Sequence, residues 1–234
     1  MNALLEIAVF SSEAAIIADH AGANRIELCS GYSEGGLTPS IGTIRFVKNN
    51  VKCPVFVMIR PRGGDFCYSP TEIDIMKTDI EYCKKYGVDG FVFGILDHNF
   101  MINAAATTQL CKAASPIPVT FHRAFDLCHE PENGMEILIK CGVQRILTSG
   151  QKTSALEGQS LIAELNKKSK GRIIIMAGAG INPGNINELL KQTGCTEFHA
   201  SAKRITALYN SFGFGEHLLP NPAIIKKLIE KISS

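Results

Sequence analysis

One punctuation mark recurs along the chain: a helical stretch closes on glycine, and an apolar strand begins within one to three residues. It reads in turn "AGANRIEL", "YGVDGFVF", "CGVQRILT", "KGRIIIM" and "TGCTEFH". Glycine after a helix takes the left-handed conformation that a Cβ resists. The runs that follow are short and rich in Ile, Val, Phe and Leu. A strand with one wet face would alternate, so these are expected to be covered on both faces. Two more strands, "CPVFVMIR" and "IPVTFH", are introduced by Pro, which is tolerated at a strand start. "LLEIAVF" opens the series.

Helix starts are marked as plainly. "SPTE" at 69–72 and "SALE" at 154–157 fit the capping box. "TPS" at 38–40, "NPG" at 182–184 and "NPA" at 221–223 place Pro at a first helical position behind a capping Thr or Asn. Strands are expected near 4–10, 24–29, 54–60, 90–95, 117–122, 144–149, 172–177 and 196–200, each followed by a helix. Eight β-α units in 234 residues fit one α/β domain over 1–234, a closed (β/α)8 TIM barrel. A doubly wound open sheet is the alternative, but it has fewer strands and a longer Gly-rich turn after the first one.

Several classes of function are excluded. Lys plus Arg number 24 against 22 Asp plus Glu, with no basic stripe, so a nucleic-acid partner is not expected. No apolar run reaches membrane-spanning length, and the first residues lack the basic segment of a signal peptide. The eight cysteines are scattered without a C-x-x-C pair, as in a reduced, cytoplasmic protein. Self-association into a homo-oligomer stays open.

In a barrel, function gathers in the loops after the strands. Here the loops before strands are bland ("GAN", "GVD"). The loops after them are loaded: "CSGYSEGGLTPS", "RPRGGDFCYSP", "HRAFDLCHEP", "TSGQKT" and "AGAGINPG". Alternate residues of a strand point the same way. Aligning strand ends puts Glu6 in register with Glu27 and Ala8 with Cys29. Arg60 ends strand 3, His122 ends strand 5, and Glu197, His199 and Ser201 share one face of strand 8. Buried charges need partners, so Arg60 is expected between Glu6 and Glu27 with the histidines nearby. Glu6, Glu27, His122 and His199 are the candidate acid–base residues, with a structural ion-pair layer as the competing reading. His122 has interior parity, Arg123 the opposite, and Asp126 lies within reach of either.

Arg60 and Arg62 flank a Pro ahead of two glycines, a pattern suited to holding a carboxylate or phosphate, with Asp65 bracing one of them. Arg123 and Asp126 extend that ligand-binding rim. "AGAGINPGN" at 177–185 offers backbone N–H groups at Gly178 and Gly180 ahead of a helix, an arrangement that can hold phosphate. Cys29 and Cys67 could line the same mouth as soft metal ligands, against the commoner packing role of buried cysteine.

Taken together, "NRIELCSGYSEGGLTPS", "VMIRPRGGDFCYS", "VDGFVFGIL", "PVTFHRAFD", "RILTSGQ", "IIIMAGAGI" and "TEFHASA" resemble the CutC family, named for copper homeostasis. The resemblance runs from strand 1 to strand 8 and implies a cytoplasmic (β/α)8 barrel that binds Cu(I). The ligands it implies are a Cys at the end of strand 1 and one at the end of strand 2. The second matches Cys29. The first falls at Ala8, leaving Cys67 to supply a second thiolate. The stretch after strand 8, "RITALYNSFGFGEH", is short beside that of many members. The residues themselves point to an alternative: an isomerase, lyase or hydrolase acting on a small anionic, even phosphorylated, metabolite. The expected partner is thus a copper ion or such a metabolite.

Overall fold

The computed structural model describes residues 3–205 and 218–233. Most of the stretch singled out after strand 8 therefore lies outside the described residues. Strands β1 (Leu4–Val9), β2 (Arg25–Leu28), β3 (Val55–Met58), β4 (Gly90–Phe93), β5 (Val119–Phe121), β6 (Arg145–Thr148), β7 (Ile174–Gly178) and β8 (Glu197–Ala200) pair in sequence order. All the pairings are parallel, and β8 closes on β1. Helices α1 (Ser12–His20), α2 (Ile41–Asn50), α3 (Pro70–Lys84), α4 (Ala104–Ala114), α5 (Pro131–Cys141), α6 (Gln159–Ser169), α7 (Ile186–Thr193) and α8 (Pro222–Ser233) follow the strands in turn. This is the (β/α)8 barrel expected. A small antiparallel pair, β9 (Lys203–Ile205) and β10 (Leu218–Pro220), precedes α8. No helix among the described residues is long and apolar enough to cross a membrane.

The capping box of α3 is complete, with the Ser69 side chain and Glu72 bonding reciprocally to backbone N–H groups. Three other starts fall later than expected. At α2 the cap is Ser40, not Thr38. Ser154 and Glu157 make their mutual bonds, yet α6 begins only after Gly158, whose backbone packs against Gly150. Asn182-Pro183-Gly184 is spent on a turn closed by the Asn182 and Asn185 side chains, and α7 starts at Ile186.

Strand parity divides the core in two. Leu5, Ile7, Ile26, Leu28, Phe91 and Phe93 are fully buried in the main apolar core, which also takes in Ile44, Met76 and Leu110 of the helices. Each such side chain stabilises by roughly 1.5–3 kcal/mol. The alternate positions carry Glu6, Arg25, Glu27, Phe56, Met58, Arg145 and Glu197, and by parity these fill the barrel itself. The register differs from the one expected. Glu6 stands beside Arg25, and Ala8 beside Glu27. Closing a barrel shears each strand against the next. Here the shift is by an even number of residues, so the facing was right and the neighbour was wrong.

Candidate functional site

Deep in the barrel lies a closed ion-pair layer. Glu197 takes a bidentate fork from Arg145, Nε to Oε2 at 2.5 Å and Nη2 to Oε1 at 2.9 Å. It also accepts from Arg25 Nη2 at 2.6 Å. Arg25 Nε bonds Glu6 Oε2. Both guanidinium groups lie over the Phe56 ring, 4.7 and 5.4 Å from its centroid. Two carboxylates face two guanidinium groups, so the layer is neutral without help from solvent. Arg25 and Arg145 were not picked out in the sequence, although a charged residue at interior parity in each buried strand was the available signal. The expected Arg60 link between Glu6 and Glu27 is absent: Arg25 ties Glu6 to Glu197 instead, and His199 stands between Glu6 and Glu27.

Next to this layer stand Glu6, Glu27 and His199. Glu6 Oε1 bonds His199 Nδ1 at 2.7 Å, which leaves Nε2 facing Glu27 Oε2 at 3.7 Å. Burial alone would raise the Glu6 pKa, but Arg25 and His199 outweigh it and hold it at about 2. Both Glu6 oxygens are thus held, one by Arg25 and one by His199, in a setting that favours the carboxylate. Glu27 behaves oppositely. Burial raises its pKa, the Glu6 charge adds to that, and its Oε1 is buried with no partner. For His199, burial opposes the charged form, but the two carboxylates win and raise its pKa. A proton exchanged between Glu27 and His199 thus has two receptive sites.

One oxygen or nitrogen from each of Glu6, Glu27 and His199 lies within 4.8 Å of the others. Such an O, O, N set suits a hard or borderline divalent cation better than Cu(I). Both oxygens of Glu6 are already engaged.

Glu27 and His199 border a cavity of about 500 Å3 at the C-terminal mouth. Arg60 and His122 line it too, with Met58, Phe66 and Leu147 as apolar wall. Arg60 is 4% exposed and bonds three backbone carbonyls, those of Glu34, Gly36 (3.0 Å) and Gly64 (2.9 Å). Its Nε has no partner, and among the described residues no carboxylate pairs with it. Thr38 makes three bonds with the Arg60 backbone, which fixes the loop after β2 against the end of β3. His122 caps a short 3-10 helix (Arg123–Leu127) by accepting the Ala124 N–H on Nδ1 at 3.1 Å. Burial, together with Arg60, pushes its pKa down to about 3. That favours a neutral imidazole, and its Nε2 is buried without a partner. A Cβ on Gly94 would come within 2.5 Å of the ring, so glycine there makes room for it.

Other expected site residues are placed differently. Arg62 and Asp65 do form the expected brace, at 3.0 Å, but Arg62 is also held by Glu72 and neither residue lines the cavity. Arg123 and Asp126 do line it, paired at 2.8 Å. Asp126 is largely consumed by Thr148 and Ser149. Gly180 lines the cavity, whereas Gly178 packs under Leu147. Past Gly180 the loop closes on itself. Asn182 and Gly184 give their N–H groups to the Asn185 and Asn182 side chains.

The thiols do not converge. Cys29 is buried beside Phe56, Met58 and Val92, and its Sγ donates to Glu27 Oε2 at 3.7 Å. Burial and the Glu27 charge hold its pKa well above the usual thiol range. The Sγ of Cys67 donates instead to the Asp97 carbonyl at 3.1 Å, and Cys67 is not on the cavity wall. Ala8 is on that wall but offers no donor. Loop residues have no strand parity to read, which is why Cys67 and Arg62 were misplaced. Phe66, which covers both Arg60 and His122 with 4.9 Å between centres, was missed for the same reason.

Comparison with known proteins agrees with this architecture. The CutC family model matches residues 3–204. The human copper homeostasis protein cutC homolog is 52% identical over 200 residues, 86% of this chain and 73% of that one. A family protein CutC of Chromobacterium violaceum is 46% identical over 203 residues, 87% of this chain and 82% of its own length. A crystal structure assigned as the copper homeostasis protein CutC of Streptococcus agalactiae superposes with a TM-score of 0.81 at 32% identity, covering 85% of this chain and 98% of that one. Thiamine phosphate pyrophosphorylase of Pyrococcus furiosus shares the barrel alone, with a TM-score of 0.62, 14% identity, and 99% and 95% coverage. The chain belongs to the CutC family.

Proposed function

We propose that the barrel mouth is an acid–base site for a small anionic metabolite, which makes this chain an enzyme of the isomerase or lyase type. Arg60 carries the reading. It is a buried guanidinium on a cavity wall, without a carboxylate partner among the described residues and with an unused N–H. Leaving such a charge unpaired is costly unless a ligand completes it. On this reading the anion seats at Arg60, and the reacting atoms face Glu27 and His199. Glu6 fixes the His199 ring so that Nε2 serves the proton transfer. Cys29 keeps its thiol proton and is no nucleophile, which favours proton transfer over acyl chemistry.

The test has two steps. Small carboxylated and phosphorylated metabolites are screened for thermal stabilisation, since a ligand of the native state alone raises its stability. Each stabilising compound is then incubated in D2O with the wild type and with Glu27→Gln. Deuterium entering the compound with the wild type only is the expected result. Exchange that persists undiminished in Glu27→Gln removes Glu27 from the chemistry.

A copper reading has its own support in the names of the curated relatives and in Cys29. The donor set does not fit a two-thiolate Cu(I) site, because Ala8 offers no sulfur and Cys67 bonds elsewhere. Copper binding therefore rests on Cys29. Titration with Cu(I) under reducing conditions decides it: stoichiometric binding that vanishes in Cys29→Ala upholds it, and weak binding unchanged by the substitution ends it. The free state of all eight cysteines supports a reducing, cytoplasmic setting.

A further inference from the structure

Buried polar atoms without a partner are rare in folded proteins, and each calls for an explanation. Two of those here are N–H donors of residues that line one cavity, Arg60 Nε and His122 Nε2, each buried just behind its wall. Resting on the anion-site reading above, we propose that Arg60 and His122 grip one singly charged oxyanion, a carboxylate, and that His122 sets this preference as a neutral donor.

The tautomer follows from geometry. His122 Nδ1 accepts the Ala124 N–H, so the ring's single proton sits on Nε2. Burial and the neighbouring guanidinium keep a second proton off. His122 therefore adds a hydrogen bond to the site without adding charge.

The charge count then selects the ligand. Arg60 brings one positive charge with which no described carboxylate forms an ion pair; of the wall's other titratable groups, His199 is bonded to Glu6, and Glu27 and Glu34 are carboxylates that add no positive charge for a second negative charge to meet. Arg123, the other guanidinium on the wall, is cancelled by Asp126. Lys203 is exposed, held over the Tyr32 ring, and is not on the wall. A carboxylate balances a single charge. A phosphate ester, at about −1.5 to −2 near neutral pH, leaves buried negative charge uncompensated. In the loop after β7, the N–H groups of Asn182 and Gly184 are already bonded by its own side chains and are not offered to a ligand. Phe66 lies over both donors, so the grip is dry and each bond to the ligand is strengthened.

Isothermal titration with acetate, pyruvate and inorganic phosphate tests this on the full chain. His122→Asn is the informative variant, because Asn keeps a cap for the 3-10 helix while deleting the Nε2 donor. The expected result is binding of acetate or pyruvate ahead of phosphate, weakened roughly tenfold to a hundredfold in His122→Asn. Nitrogen-15 NMR of the wild type should show His122 protonated on Nε2 alone from about pH 5 to 9, as the low pKa requires. Phosphate binding as tightly as the carboxylates, and depending on Arg60, overturns this inference and leaves the anion site standing. Carboxylate binding unchanged in His122→Asn, or a second proton on the ring near neutral pH, also overturns it. No binding of any of the anions removes both readings.

Discussion

The barrel holds two clusters of the same residue types in opposite states. In the deeper one, Arg25, Arg145, Glu6 and Glu197 satisfy one another, and no oxygen or nitrogen of these side chains is left buried without a partner. In the one toward the mouth, Glu27, Arg60 and His122 each keep a buried atom with none. A closed network fixes the fold and has nothing to offer a ligand. An open network retains bonding capacity at a cost to stability, and that is what a binding site requires. The contrast also separates two glutamates that look alike in the sequence. Glu6 belongs to the closed network and Glu27 to the open one.

The sharpest way to break the comparison is to cut the closed network. Glu197→Ala leaves Arg145 with Thr120 alone and Arg25 with Glu6 alone among its oxygen partners. Loss of one partner in a buried pair costs about 3–5 kcal/mol. Urea unfolding should show that loss, and a loss below about 1 kcal/mol would mean that the deep layer is not structural.

Acid and base titration should pull the two glutamates apart. The Glu6 pKa is lowered from 4.5 to about 2, so its stabilisation is present above pH 4.5 and lost as the pH falls toward 2. The Glu27 pKa is raised above 4.5, so its contribution is full below that pH and lost as the pH rises through the folded value. Unfolding curves across pH should therefore lose the alkaline-side decline in Glu27→Gln, with stability near neutral pH at least that of the wild type. A strongly destabilised Glu27→Gln would place Glu27 in the closed network instead.

The smallest effect is expected at the rim. Arg62 is 39% exposed on its side chain, and its partners Asp65 and Glu72 are wet. Arg62→Ala should cost about 1 kcal/mol or less. It should also leave ligand-induced thermal shifts unchanged. A lost shift would return Arg62 to the site.

These distinctions set the limit of what the sequence alone conveys. Glycine-then-strand punctuation located five strands and apolar runs the other three, two of them behind a Pro, and parity placed Glu27, Arg60, His122 and His199 at one mouth, because these are local properties of the chain. Partner choice is not local. Glu6 meets His199 across the seam where β8 closes on β1, and it meets Arg25 through the stagger of neighbouring strands. Nor does spacing reveal that His122 spends Nδ1 on Ala124, which leaves the ring proton of the neutral imidazole on Nε2. Loop side chains such as Arg62, Phe66 and Cys67 follow turn geometry instead of strand alternation.

The central claim is that the open network is an anion site organised by Arg60. Its most direct test is the melting temperature of the wild type and of Arg60→Met, each titrated with a panel of small carboxylates and phosphates. A ligand at about a hundred times its Kd adds roughly 2.7 kcal/mol to stability. The account predicts a concentration-dependent rise for at least one anion in the wild type and a flat response in a folded Arg60→Met. A flat wild type, or an equal rise in the variant, would contradict it.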